Sequence, residues 1–427
     1  MRPQRPPQSF FLWFLILILV ACGQKGNASE GQGVAASDAP VLHSVRPPVR
    51  PGIEVLLTDS LHLLQGKRVG LITNHSAMDR VGVHDIDLLA GATDFDLVAL
   101  FSPEHGIRGE AEGGISIESQ TDERSGLPIH SLYGETRKPT PAMLEGLDLL
   151  LYDIQDIGAR YFTYVSTMAR SMEAAGEAGI PFLVLDRPNP VGGVAVHGTV
   201  LDPEFSTFVG LYPVPMRHGM TSGELALMYV GEFGVQVDLT VIPVECWTRG
   251  MTFEETNLPW VAPSPNMPSV ESAIHYTGTC LFEGTPISVG RGTDMAFQVV
   301  GAPWIDPDSL AEAMAAYAIP GVRIEPVSFT PERPGDGKFG GQESFGVRLT
   351  AVDPDYDATL ATLALLIETR RMSGNEWEWR IAHFDRLAGT DRLREGLDSE
   401  RSIQELRQGW DEDLAAFKKL RSRYLIY

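Results

Sequence analysis

Cysteine is scarce in this chain: Cys22, Cys246 and Cys280 are the only three in 427 residues. That is too few for a disulfide framework, and no pair stands at zinc-binding spacing. Basic residues are also few, 34 Lys and Arg against 56 Asp and Glu, for a formal charge of −22. Such acidity argues against nucleic acid as a partner, because phosphate binding needs a basic footprint. An anionic ligand must therefore be met by a local Arg or Lys against the overall field. Also missing are a Walker phosphate loop, a Gly-x-Gly-x-x-Gly after the first strand and a Gly-x-Ser-x-Gly elbow, so nucleotide binding and the hydrolase elbow lack their signatures. His75, His84 and His105 with Asp85 are the residues from which a metal site would be drawn, but no helical His-x-x-x-His places two together.

Residues 1–21 carry Arg2 and Arg5 ahead of the apolar run Phe10–Ala21, a secretory signal too short to be a spanning helix. Leu19-Val20-Ala21-Cys22 reads as a bacterial lipobox that leaves Cys22 lipid-modified, an exported lipoprotein held to the membrane by its anchor. Gly23 in place of an Asp points to the periplasmic side of the outer membrane. Loss of residues 1–21 removes two Arg and takes the formal charge from −22 to −24. Residues 22–50, rich in Gly, Ala, Ser and Pro, read as a flexible tether. In an oxidising compartment Cys246 and Cys280 either pair or stay as free thiols.

Four short runs, Val69–Thr73, Leu97–Phe101, Leu149–Tyr152 and Phe182–Leu185, are almost wholly apolar, as strands covered on both faces are in parallel sheets. Between them lie segments of helical spacing such as Ala159–Gly179, with Met168, Met172 and Ala175 on one side. The rhythm predicts an α/β fold: a Rossmann-like parallel sheet over 51–260 and a smaller α+β C-terminal domain over 261–427. The proline-dense stretch Pro259–Pro268 is the expected join, a stiff extended connection beside a cleft. Beyond it, Phe297–Ile305, Val322–Phe329 and Phe345–Val352 read as strands, with helices at Tyr356–Arg371 and Ser402–Tyr424.

Each of the four apolar runs ends in a polar cluster, and the crevice beyond the carboxyl ends of parallel strands is where ligands bind. Glu104, on the turn after the second run, is the candidate general acid, since a carboxyl held partly out of water keeps its proton near neutrality. The alternative is a Glu that caps the next helix or pairs with Arg108. Asp153, after the third run, faces the crevice in this reading, while Asp156 reads as a helix N-cap. Arg160 either clamps a carboxylate bidentately or pairs with Asp156 at i,i+4. Asp186, Arg187 and Asn189 offer polar contacts from a stiff strand-end turn, and Asn74-His75-Ser76 is a weaker signal of the same kind. Downstream, Glu283, Arg291 and Asp294 stand among small residues, and Gly290 and Gly292 around Arg291 point to a close approach by a ligand or to a structural turn.

The segments Ser102-Pro103-Glu104-His105-Gly106, Tyr152-Asp153-Ile154-Gln155-Asp156-Ile157-Gly158-Ala159-Arg160, Asp186-Arg187-Pro188-Asn189-Pro190 and the ending Tyr424-Leu425-Ile426-Tyr427 resemble the exo-β-N-acetylmuramidase family. The similarity covers about residues 52–427. It implies a glycoside hydrolase, without cofactor or firm metal requirement, that acts on peptidoglycan fragments. It also implies Glu104 as the leading catalytic residue, and Asn74, His105, Asp153, Arg160, Tyr164, Asp186, Asn189, Glu283 and Arg291 as pocket candidates. Asp153, Glu283 or the substrate's own N-acetyl oxygen would serve the anomeric carbon. Arg160, Arg187 or Arg291 would hold the lactyl carboxylate. A binding lipoprotein without activity, or a metal-dependent wall hydrolase, are the competing expectations.

Overall fold

The four apolar runs become neighbouring strands of one sheet. The computed structural model describes residues 47–108, 120–134 and 136–427; the expected signal segment, Cys22 and residues 22–46 of the tether lie outside the described residues. The strands are β1 (Arg68–Thr73), β2 (Asp96–Ser102), β3 (Gln120–Thr121), β4 (Pro128–Ser131), β5 (Leu149–Asp153), β6 (Phe182–Leu185), β7 (His197–Val200), β8 (Pro215–Arg217) and β9 (Leu239–Ile242). Seven of them line up as β3-β4-β2-β1-β5-β6-β9, while β7 and β8 pair separately. All neighbours in the large sheet run parallel except the edge pair of β3 and β4.

Strand side chains alternate between faces, and here both faces are covered. Leu71, Leu100, Leu151, Leu183 and Leu185 pack with Ile53, Leu56, Ile86 and Leu89. Ile72, Phe101, Leu150, Tyr152, Phe182 and Val184 pack with Met168, Met172 and Ala175 of the helix Tyr164–Ala178 on the other. This is why the runs lack alternation. The helix begins five residues later than its spacing predicts, because Ala159 bridges to Arg217 and the Arg160 amide donates to the Met216 carbonyl at 3.0 Å. It ends where expected, on left-handed Gly179.

The C-terminal part is α+β and smaller. Strands β10 (Val299–Ala302), β11 (Val322–Phe329) and β12 (Ser344–Ala351) form an antiparallel sheet in the order β10-β12-β11. Helices Val270–Thr279, Pro307–Ala315 and Ala358–Ser373 accompany it, and helix Ile403–Arg421, opened by a Ser402–Glu405 capping box, lies near the chain end. All described residues belong to one compact unit. The ties between its parts are specific: Tyr427 Oη donates to Asp186 Oδ2 at 2.7 Å, and Arg160 Nη2 donates to the Leu387 carbonyl at 2.6 Å. Cys246 is exposed and Cys280 buried, both as free thiols.

Candidate active site

In the strand order, β2 follows β1 on one side and β5 flanks it on the other, so the chain reverses direction across the sheet at β1. Such a switch point opens a crevice at the carboxyl ends of the strands. Asn74 and His75 leave β1 there, Glu104 and His105 leave β2, and Asp153 ends β5. His105 takes a left-handed φ of 72° and Gly106 one of 77°, which turns the chain sharply and leaves Glu104 on the bend. Glu104 is partly exposed, and its Oε2 accepts a hydrogen bond from Thr163 Oγ1 at 3.2 Å. Thr163 precedes the helix Tyr164–Ala178 without capping it, so its hydroxyl is available to the carboxylate. Arg108 is committed elsewhere, with Nη2 donating to both Asp122 oxygens at 2.9 and 3.0 Å. The expected cap role of Asp156 is not met either: its Oδ2 accepts from the Gly158 amide in the turn before the helix.

The proline-dense segment forms a strap tied to this crevice. His75 Nε2 donates to the Ala262 carbonyl at 2.7 Å, and the Tyr164 hydroxyl donates to the Pro263 carbonyl at 2.5 Å. Burial holds the His75 pKa below its ordinary value, with His105 and His84 nearby acting in the same direction. His84 is different: burial opposes its charge, but its bond to Asp85 and that carboxylate's field outweigh burial and raise it. With Nε2 on the Asn74 carbonyl as well, His84 has no nitrogen left for a metal. Among the described residues no three His, Cys, Asp or Glu side chains are grouped to hold one.

Several expected pocket residues turn inward. Asp153 is fully buried in a two-pronged pair with Arg187, Nε to Oδ1 at 2.5 Å and Nη2 to Oδ2 at 2.9 Å, and Arg187 Nη1 donates to the Met78 carbonyl. Burial pushes the Asp153 carboxyl up, and Arg187 only partly reverses this. Arg160 neither clamps a ligand carboxylate nor pairs with Asp156: its guanidinium serves the Thr199, Val214 and Leu387 carbonyls. Asn189 shapes its own turn through Val191 and Met220, and Tyr164, 1% exposed, is a strap anchor. These side chains finish backbone hydrogen bonding that a strand-end loop cannot complete alone.

Asp186 is likewise internal, accepting from Thr221 Oγ1 at 2.6 Å, the Gly223 amide at 2.9 Å and the Tyr427 hydroxyl. Burial raises its carboxyl to about 6 despite these donors. A folded pKa above the unfolded value means that this group stabilises the fold at low pH and that the contribution is lost as pH rises through about 6. Asp186→Asn is therefore expected to flatten the slope of stability against pH between about 4 and 6. Urea midpoints of parent and variant at several pH values would check this; parallel curves would contradict it.

Glu283 and Arg291 form a second polar centre. Arg291 Nη1 is bonded to Glu283 Oε1, and His383 Nε2 lies 3.8 Å from Glu283 Oε2. Burial alone would raise the Glu283 carboxyl, but Arg291 outweighs it, with help from His383 and Lys338, and holds it at about 2. The flanking glycines are required by left-handed φ values of 71° and 82°, and a Cβ on Gly292 would stand 3.0 Å from the Pro334 nitrogen. The close approach is thus by the chain itself. The Gly292 amide meets Asn266 Oδ1 of the strap at 3.4 Å. Rings at centroid spacings of 4.8, 5.9 and 4.7 Å lead from Tyr164 through Phe162 and Tyr276 to Phe297, over which Arg291 sits. Thr163 was not singled out from sequence; a hydroxyl before a helix ordinarily signals only a cap.

The N-terminal domain family of the exo-β-N-acetylmuramidase NamZ matches residues 69–271, and its C-terminal domain family matches 274–427. The peptidoglycan β-N-acetylmuramidase NamZ of Bacillus subtilis is 44% identical over 395 residues, covering 92% of this chain and 95% of that protein. Two crystal structures of DUF1343 family proteins from Bacteroides fragilis share the fold. They have TM-scores of 0.83 and 0.70 at 36% and 32% identity, and each match covers 89% of this chain and 99% of the other. With both family domains matched in order and nearly the full length aligned, this chain belongs to the exo-β-N-acetylmuramidase NamZ family.

Proposed function

We propose that this protein is a glycoside hydrolase releasing N-acetylmuramic acid from the non-reducing end of peptidoglycan fragments, with Glu104 as general acid. Family membership supports the activity. The observation that carries the residue assignment is Glu104 on a sharp bend at the switch-point crevice, partly buried and oriented by Thr163. Glu104 gives its proton to the glycosidic oxygen as the bond to the anomeric carbon breaks. Neither Asp153 nor Glu283 is free to serve that carbon, since Arg187 and Arg291 hold them. We assign the attack on that carbon to the substrate's own acetamido oxygen; water then opens the resulting ring while the Glu104 carboxylate takes back a proton.

Of the three arginines weighed for the lactyl carboxylate, Arg160 and Arg187 are enclosed by their partners. Arg291 keeps 18% of its side chain exposed, against 3% for Arg160 and 5% for Arg187. We assign it that carboxylate. Hydrogen bonds to charged groups contribute about 1.5–3 kcal/mol, so Arg291→Gln should lower kcat/KM for an aryl β-N-acetylmuramide by at least about tenfold. The test is release of chromophore by purified full-length protein from that muramide and from the matching β-N-acetylglucosaminide. Release from the first alone supports the reading; a Gln variant with undiminished preference removes Arg291 from it. Silence of the parent on both substrates would turn the reading to a muropeptide-binding lipoprotein. The proposed location, a lipid anchor at Cys22 on the periplasmic side of the outer membrane, fits a wall substrate; the mass of the mature N-terminal peptide tests it.

A further inference from the structure

In a chain of formal charge −22, Arg137 stands without an acid. It is exposed, and among the described residues no carboxylate or carbonyl accepts from its guanidinium. The nearby acids go to Lys138 instead, whose Nζ lies 2.7 Å from Glu177 Oε1 and 3.6 Å from Glu173 Oε2. What Arg137 has is two half-buried aromatic rings: its Cζ is 4.6 Å from the centroid of Phe208 and 5.6 Å from that of Tyr133. A guanidinium held over ring faces keeps the N–H donors of its edge free, and the stacking restrains a long side chain before any ligand arrives. The loop that carries it is fixed as well. Ser131 Oγ accepts from the Tyr133 amide at 3.2 Å and donates to the Tyr133 carbonyl at 3.0 Å, and Thr136 Oγ1 does the same for Lys138 at 3.2 and 2.6 Å.

This loop starts beside Glu104. Strand β4 lies next to β2 on the side away from β1, Ser131 is in register with Ser102, and the Leu132 amide donates to the Ser102 carbonyl at 2.8 Å. Tyr133 thus leaves β4 alongside Pro103. From there the chain runs away from the acid, since Lys138 meets Glu173 about three turns, or roughly 15 Å, along the helix from Thr163. Arg291 lies the other way, reached through the rings that begin at Tyr164 after β5. An acid that protonates the glycosidic oxygen stands between the sugar that is released and the glycan that leaves. With the released sugar at Arg291, the leaving glycan runs over β4. We propose that Arg137, stacked on Tyr133 and Phe208, binds the leaving glycan through the lactyl carboxylate of its first muramic acid residue. The N-acetylglucosamine joined at the broken bond carries no charge, and the muramic acid after it carries the nearest anion, which matches a cation set at a distance from Glu104. The inference rests on the glycosidase reading and adds to it a subsite on the leaving side.

The test is chromatographic measurement of N-acetylmuramic acid released by full-length protein from two peptide-free substrates. One is the disaccharide of N-acetylmuramic acid on N-acetylglucosamine, which has no second muramic acid; the other is the tetrasaccharide of two such units. The parent is expected to show a kcat/KM about five- to tenfold higher on the tetrasaccharide, an advantage that shrinks as salt is raised. Arg137→Gln should bring the ratio near one, and Arg137→Lys, which keeps the charge but not the planar fork, should retain part of it. A peptide on the inner muramic acid turns its carboxylate into an amide and should abolish the advantage. A parental ratio near one, a Gln variant that keeps the parental ratio, or an undiminished advantage of the peptide-bearing tetrasaccharide overturns the assignment. Any of these with N-acetylmuramic acid still released removes this inference alone, whereas no release from either substrate by the parent removes the glycosidase reading beneath it.

Discussion

Glu104→Gln is expected to lower kcat on an aryl β-N-acetylmuramide with a poor leaving group by about 10²–10⁴-fold, the contribution general acid catalysis ordinarily makes. The substitution keeps the shape and an oxygen able to accept from Thr163 Oγ1, so folding and substrate affinity should be nearly unaffected. The loss falls on kcat because the proton is needed as the glycosidic bond breaks. An activated leaving group such as a nitrophenolate needs that proton less, so the defect should shrink with leaving-group acidity. Equal turnover by parent and Gln variant on the poor leaving group would remove Glu104 as the acid. A uniform rise in KM with unchanged kcat would recast it as a binding group.

Arg187→Met is expected to destabilise the fold by about 3–5 kcal/mol, because it strands the fully buried Asp153 without its counter-charge. The same loss frees the Met78 carbonyl that Arg187 holds in the loop after β1. Asp153→Asn combined with Arg187→Met should recover part of the stability, since removing both charges of a buried pair costs less than removing one. The pH dependence gives the sign. Burial already raises Asp153, and without Arg187 nothing of comparable size opposes it. The single variant should therefore regain stability as pH falls and the carboxyl takes a proton. Urea midpoints at pH 5 and 7.5 measure this; a single variant within about 1 kcal/mol of the parent would mean that Asp153 is less isolated than its burial implies.

Much of the scaffold was legible from local chemistry. Leu149–Tyr152 and Phe182–Leu185 could be read as central strands because both of their faces are apolar, and Gly179 marked a helix end by its freedom to take a left-handed φ. The Ser102–Gly106 turn was readable in the same way, since His105 and Gly106 redirect the chain immediately after an apolar run. The order of strands was not legible, and with it the neighbours of each strand-end residue.

The strand-end polar clusters were all visible as candidates, but their division between ligand and scaffold was not. Asp153, Arg160, Asp186 and Asn189 have the residue types of a pocket, and yet each is absorbed by internal partners 31 to 227 positions away in the chain. Arg187 and Arg291 are alike in sequence as guanidiniums near acids, but they differ in burial and in how many acceptors reach them. The sequence by itself determined the strand and helix segments, the acidic balance and the placing of Glu104 on a bend, because these depend on residues within a turn or two. Tertiary structure alone decided which polar groups remain available to a substrate, because a buried side chain spends its hydrogen-bonding capacity on backbone and charges brought near it by folding.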